Sequence, residues 1–194
     1  MKLLLPFLCL VITLHANAQQ SNRTFTFKEI GWTITLPQGF ERLSAEEDAA
    51  KNERGQQAIE DATGTKLDVS SAKTLISATR NNYNYFNSTI TPFDPKTDGD
   101  WKEVSQSVKD MVYITFAEKI PGATIDSATT TTTISGLKFD KFRVTVTVDK
   151  KVVFNSFLLS KLYKGYDFGI SYVVLDEKNK NDIETMLNNS KFTK

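Results

Sequence analysis

Three consecutive segments near the C-terminal end of the chain constrain its fold more than anything else in the sequence. Phe142, Val144, Val146 and Val148 alternate with Arg143, Thr145 and Thr147, and Asp149-Lys150 follows. Val152 to Tyr163 is apolar on both parities and ends at Lys164-Gly165. Tyr166, Phe168, Ile170, Tyr172 and Val174 then alternate again. A period of two is the signature of a β-strand. Connections this short leave no room for a crossover helix, so neighbouring strands must be antiparallel. The middle segment, apolar on both parities, reads as a strand covered on both faces. The Thr-rich segment Thr124–Ile134 is expected to run near an edge of the same sheet, with the run Thr129–Thr133 as an ordinary solvated strand rather than a binding array.

The rest of the chain supplies what covers that sheet. Phe25 and Phe27, then Trp32, Ile34 and Leu36, predict two short strands broken at Gly31, and Pro37-Gln38-Gly39-Phe40 carries turn chemistry. Ser44-Ala45-Glu46-Glu47 is a capping box with Leu43 in the staple position. The helix it opens is almost wholly polar, so it is expected to be solvated and to cover little core. Gly55 is expected to kink or end it. Residues 74–80 and 87–91 read as strands flanking the loop Asn81-Asn82-Tyr83-Asn84-Tyr85, and 92–100 as a Pro/Asp/Gly loop. Asp100 and Glu103 start a second helix, whose stripe of Trp101, Val104, Val108, Met111, Val112 and Phe116 has helical spacing and which Pro121-Gly122 stops. A last helix over 177–189 turns Ile183, Met186 and Leu187 inward. Helices before and after the meander can occupy opposite faces. The expected fold class is therefore α+β: a mostly antiparallel β-sheet with helices on both faces, an α/β/α sandwich. Its core is expected to be built on Trp32, Phe142, Val144, Phe157, Ile170 and Leu187.

Residues 1–18 have the form of a cleavable signal peptide: Lys2, an apolar run from Leu3 to Leu14, then Ala16-Asn17-Ala18 before Gln19. The run is too short to span a bilayer, which takes about 20 residues. Cys9 lies inside it, but Leu8 is not the small residue that lipidation requires. The expectation is an exported protein, periplasmic or extracellular and soluble, with residues 19–194 forming a single domain. The 24 basic residues drop by one when Lys2 leaves and then equal the 23 acidic ones. No field is left to steer the domain onto nucleic acid or an anionic membrane. The single cysteine and single histidine, Cys9 and His15, leave with the leader. Disulfides, Ser-His-Asp or Cys-His catalysis, and zinc or copper sites built from His and Cys are excluded.

The order of elements resembles the PsbP-like fold, shared with Mog-type nuclear-transport proteins and several bacterial exported families. The resemblance rests on four features. A strand pair ends in Leu36-Pro37-Gln38-Gly39-Phe40, and a capped polar helix follows. A long amphipathic helix leads into the three-strand meander, and a closing helix ends in Asn189-Ser190-Lys191-Phe192. It covers nearly the whole domain and implies the sandwich architecture. Its members do unrelated jobs, so it implies no activity and carries no functional residue over. The Ala-x-Ala-Gln-Gln ending of the leader is similar to that of exported Bacteroidetes proteins.

Few residues suggest chemistry. Ser70-Ser71-Ala72-Lys73 matches the Ser-x-x-Lys of penicillin-binding enzymes, but the companion motifs are missing and the stretch reads as a polar loop. Asp94, Asp98 and Asp100 around Gly99 suggest calcium, yet Lys96 and Ser105 fall where an EF-hand needs ligands. Carboxylates suffice for a glycosidase pair, but spacing in sequence does not fix their separation. Tyr83, Tyr85 and Phe86, set among four asparagines, form the most site-like stretch, since aromatic faces beside amides suit a sugar or a peptide. No metal or cofactor is implied. The leading expectation is a non-enzymatic exported module that binds a protein, peptide or glycan through these rings. The alternative is a metal-independent hydrolase or lyase using carboxylate, Lys or Tyr groups. A pocket with convergent carboxylates would favour the enzyme, and an aromatic patch near residues 83–86 the binding module.

Overall fold

A computed structural model describes residues 23–81 and 83–193. The expected signal peptide, residues 1–18, lies outside the described residues. In chain order the elements are β1 (Thr24–Phe27), β2 (Trp32–Thr35), β3 (Glu41–Arg42), α1 (Ala45–Thr63), β4 (Lys73–Thr79), β5 (Tyr85–Pro92), α2 (Trp101–Lys119), β6 (Thr124–Ile134), β7 (Leu137–Val148), β8 (Lys151–Tyr163), β9 (Tyr166–Val174), α3 (Glu177–Asn189) and β10 (Lys191–Phe192). The central sheet has seven strands in the order β3-β4-β5-β9-β8-β7-β6, all paired antiparallel. The Thr-rich β6 is one of its two edge strands, as its composition suggests.

The meander is shaped by its turns. Ser135-Gly136, Asp149-Lys150 and Lys164-Gly165 all have positive φ at both residues. That is the conformation of two-residue hairpin turns whose twist matches the flanking strands. Alternation then sorts side chains by face. Phe139, Phe157, Leu159, Phe168, Ile170 and Tyr172 point to one side, where α3 and the small sheet β1-β2-β10 cover them. Phe142, Val144 and Val146 point to the other side and pack under α2 through Val112, Phe116 and Ile120. Helices thus lie on both faces, and all six expected core residues are buried.

Trp32 is the centre of the larger core. It is fully buried and meets Phe168 edge-on at 5.4 Å, stacks on Phe192 at 6.0 Å and leans on Phe27 at 5.8 Å. The short strand β10 brings Phe192 there by pairing with β2, and the Thr193 amide donates to the Gly31 carbonyl at 2.8 Å. Gly31 has φ +65° and a Cβ there would lie 2.6 Å from the Thr193 carbonyl oxygen, so only glycine fits. Arg80 ties β4 to α3: Nη1 donates to Asn179 and Asp182 at 2.6 and 2.7 Å, Nη2 donates to the Gln38 carbonyl, and the guanidinium lies over Phe40.

One expectation about α1 is corrected. The capping box at Ser44 and Glu47 is formed, but Gly55 neither kinks nor ends the helix, which runs on to Thr63 and stops at Gly64 in the left-handed region. The polar face at Gly55 is free of neighbours, so nothing disturbs the hydrogen-bond ladder there. No residue of α1 is buried. It leans along α2 rather than on the sheet.

Candidate functional site

The sheet beneath α1 is polar, and this creates the site. On β5 and β9 the residues facing away from the core include Tyr85, Asn87, Thr89, Gly169 and Ser171. On β4 a bulge between Thr74 and Ile76 lets Thr74 and Ser77 share that face. A polar helix over a polar sheet face expels no water by coming closer. The gap stays open as a cleft of about 420 Å³. Its floor is Thr74, Asn87, Thr89 and Ser171, and its walls include Gln56 and Ile59 of α1. The outer wall is Leu67, Val69 and Ala72. It is pinned to α1 by the Gln56 amide donating to the Leu67 carbonyl at 3.1 Å and the Leu67 amide donating to Glu60 at 2.9 Å. Gly55 opens into the cleft, and an added Cβ there would touch nothing within 4 Å.

A second hollow of about 370 Å³ continues the first, sharing Lys51 and Tyr85 with it. Tyr83, Phe154, Val173 and Leu175 supply its apolar lining, and Lys51 and Arg54 its charge. Tyr85 stands at the junction of the two, with the Lys51 ammonium 5.1 Å from its ring centre. Its hydroxyl donates to the Ser77 hydroxyl at 3.4 Å, and Ser77 also accepts from the Asn87 amide at 2.7 Å and donates to Asp48. Burial raises the Tyr85 phenol above its ordinary range. The Ser77 bond works against this and the Asp48 charge adds to it. Tyr85 is therefore a neutral hydrogen-bonding ring rather than a base.

The three aromatic residues singled out in the sequence part company. Tyr83 is 64% exposed and Tyr85 half-buried, and both line the hollow. Phe86 is fully buried. As the next residue after Tyr85 on β5 it points through the sheet into the main core, so its inclusion in a binding surface is corrected. Lys51, Gly55, Gln56, Thr89 and Ser171 were not foreseen. The signal was present: polar outward positions on two strands that become neighbours, together with a helix lacking an apolar stripe.

The other chemical motifs are absorbed by structure. Lys73 pairs with Glu29. Asp94 accepts from the Lys96 amide, Asp98 accepts from the Asp94 amide, and Asp100 caps α2. Among the described residues no group of three or more His, Cys, Asp or Glu is placed to hold a metal ion. Neither hollow is lined by carboxylates. No described helix is long and apolar enough to cross a membrane.

Seven antiparallel strands between α1-α2 and α3, with a small sheet closed by the C-terminal segment, define a PsbP-like fold. The solution structure of cyanobacterial PsbP (CyanoP) from Synechocystis sp. PCC 6803 is similar to it, with a TM-score of 0.54 over 88% of this chain and 91% of that one. Sequence identity is 8%, so the two share a fold and nothing is carried between their sites. No protein-family model and no curated protein sequence matches this chain.

Proposed function

We propose that this chain is an exported, non-enzymatic binding module whose ligand, a glycan or a peptide segment, lies in the cleft between α1 and the sheet with Tyr83 and Tyr85 at its end. The observation that carries this is the open, hydroxyl- and amide-floored cleft. Its Thr89 and Ser171 hydroxyls make no hydrogen bond with other described residues. Polar groups that are half-enclosed and unspent are what a polar ligand uses for orientation. The absence of carboxylates from the lining and a phenol held neutral both argue against a hydrolase or lyase that acts in this cleft. Export rests on the leader.

The test is a glycan array and a peptide array probed with wild type and with Gly55→Leu, a side chain that would grow into the cleft. Binding by wild type that the variant loses, with unchanged circular dichroism, supports the reading. Wild type that binds nothing on either array, or a variant that binds equally well, removes it. Export is checked by mass spectrometry from the native host, where an N-terminus at Gln19 is expected and a lipidated Cys9 would refute it.

A further inference from the structure

Resting on the cleft as the binding site, we infer that its ligand is an acidic oligosaccharide, one sugar of which meets Tyr85 while its carboxylate meets Lys51 and Arg54.

The floor selects the polymer. The floor residues Asn87, Thr89 and Ser171 belong to β5 and β9, each hydrogen-bonded to a strand on both sides, so there the cleft looks onto the face of the sheet, whereas β3 pairs with β4 only at Thr79 and Ala78. An extended peptide draws affinity from main-chain bonds to a free edge, and β5 and β9, which make most of the floor, offer none. What the cleft does offer is side-chain chemistry: the hydroxyls of Thr89 and Ser171 and the ring of Tyr85. Hydroxyls pair with the hydroxyls of a sugar, and an aromatic face covers its C–H surface.

Charge selects the sugar. α1 carries six acidic and two basic residues, yet the two basic ones, Lys51 and Arg54, are the only charged side chains lining either hollow. The nearest acids are committed elsewhere. Glu47 is folded back onto the amide of Ser44, and Asp48 accepts from Ser77. Glu60 is held by Gln56 and Leu67. Arg54 makes no ion pair among the described residues, whereas Arg80, Lys119, Lys141 and Lys178 each hold a carboxylate. A planar guanidinium left free beside aromatic rings presents a bidentate site for a carboxylate.

The experiment titrates the protein by calorimetry with tetragalacturonate, its methyl ester, and uronate oligomers from alginate and hyaluronan. A poly-glutamate peptide serves as the acidic control. At least one uronate oligomer should bind saturably, its neutral ester about tenfold more weakly. Arg54→Gln and Lys51→Gln should each weaken the acid by about tenfold and leave the ester unchanged, with unaltered thermal midpoints. Equal affinity for acid and ester, or no effect of Arg54→Gln, overturns the carboxylate assignment while leaving a binding module in place. Binding of poly-glutamate and of no uronate overturns the glycan. Failure of every uronate, with a neutral ligand found on the arrays that Gly55→Leu abolishes, overturns this inference alone.

Discussion

Trp32→Ala should destabilise the fold, and the size of the loss can be worked out from the surroundings. Truncating a buried tryptophan costs about 3–5 kcal/mol in lost contacts and cavity. Three rings close on this one, so the upper half of that range describes the packing loss. An opposing effect comes from the indole N–H, which is buried without a hydrogen-bond partner among the described residues. An unsatisfied buried donor costs about 1–3 kcal/mol, and the substitution relieves it. The net loss for Trp32→Ala is then about 1–4 kcal/mol. Trp32→Phe keeps the stack on Phe192, removes the orphan donor and should cost less than about 1.5 kcal/mol. Urea titrations followed by far-UV circular dichroism measure both, since Trp101 alone would otherwise report the fluorescence of the variants. The slope should stay constant while the midpoint falls. A midpoint that does not move in Trp32→Ala refutes the placement of this ring. A Phe variant as weak as the Ala variant refutes the packing assigned to the ring stack on Phe192, since both variants lose the indole N–H.

Three further outcomes follow from particular contacts. Gly55→Ala fills empty space within a helix and should stabilise the fold by about 0.5–1 kcal/mol, which a thermal scan would show as an upward shift of a few degrees. Tyr83→Ala should change stability by less than about 0.5 kcal/mol, because its ring is exposed. Phe86→Ala should cost about 3–5 kcal/mol, and chemical denaturation of the pair would expose any error in the face assignment. Asp167 is pushed above the ordinary carboxylate range by burial, only partly offset by the Trp101 indole donating to it at 2.9 Å. The folded state then holds this proton more tightly than the unfolded one, so the Asp167 contribution falls as pH rises from about 3.9 through the folded value. Asp167→Asn keeps an acceptor for Trp101 and cannot ionise, so urea midpoints across this pH window should lose that downward component.

The meander, α2 and α3 were legible because each obeys one period over many residues, and because the turn at Lys164-Gly165 contains the residue its φ demands. The boundaries of α3, the cap at Ser44 and the edge position of β6 follow from equally local rules. What stayed hidden is non-local. Lys191-Phe192 is too short to show any period, yet it completes a separate three-stranded sheet. Phe86 was grouped with Tyr83 and Tyr85 by proximity, although alternation along β5 alone would have sent it to the opposite face. The cleft needs two polar surfaces from distant parts of the sequence to meet, and neither is unusual by itself. Gly55 misled because a helical glycine is judged by propensity, whereas its effect here depends on the empty space around it.

The closure of β10 on β2 also fixes when this protein can finish folding. The Thr193 hydroxyl reaches the Gly31 carbonyl across 162 residues of sequence. The β1-β2 hairpin is made early, but Trp32 lacks one of its three ring neighbours until Phe192 has been synthesised. Two-stranded hairpins are marginal without such support. The N-terminal segment therefore waits, unlatched, through nearly the whole of translation, and the long-range closure makes folding slow relative to a helical bundle of this size. A chain whose first strands are latched by its last residues cannot seal its core until synthesis is almost complete.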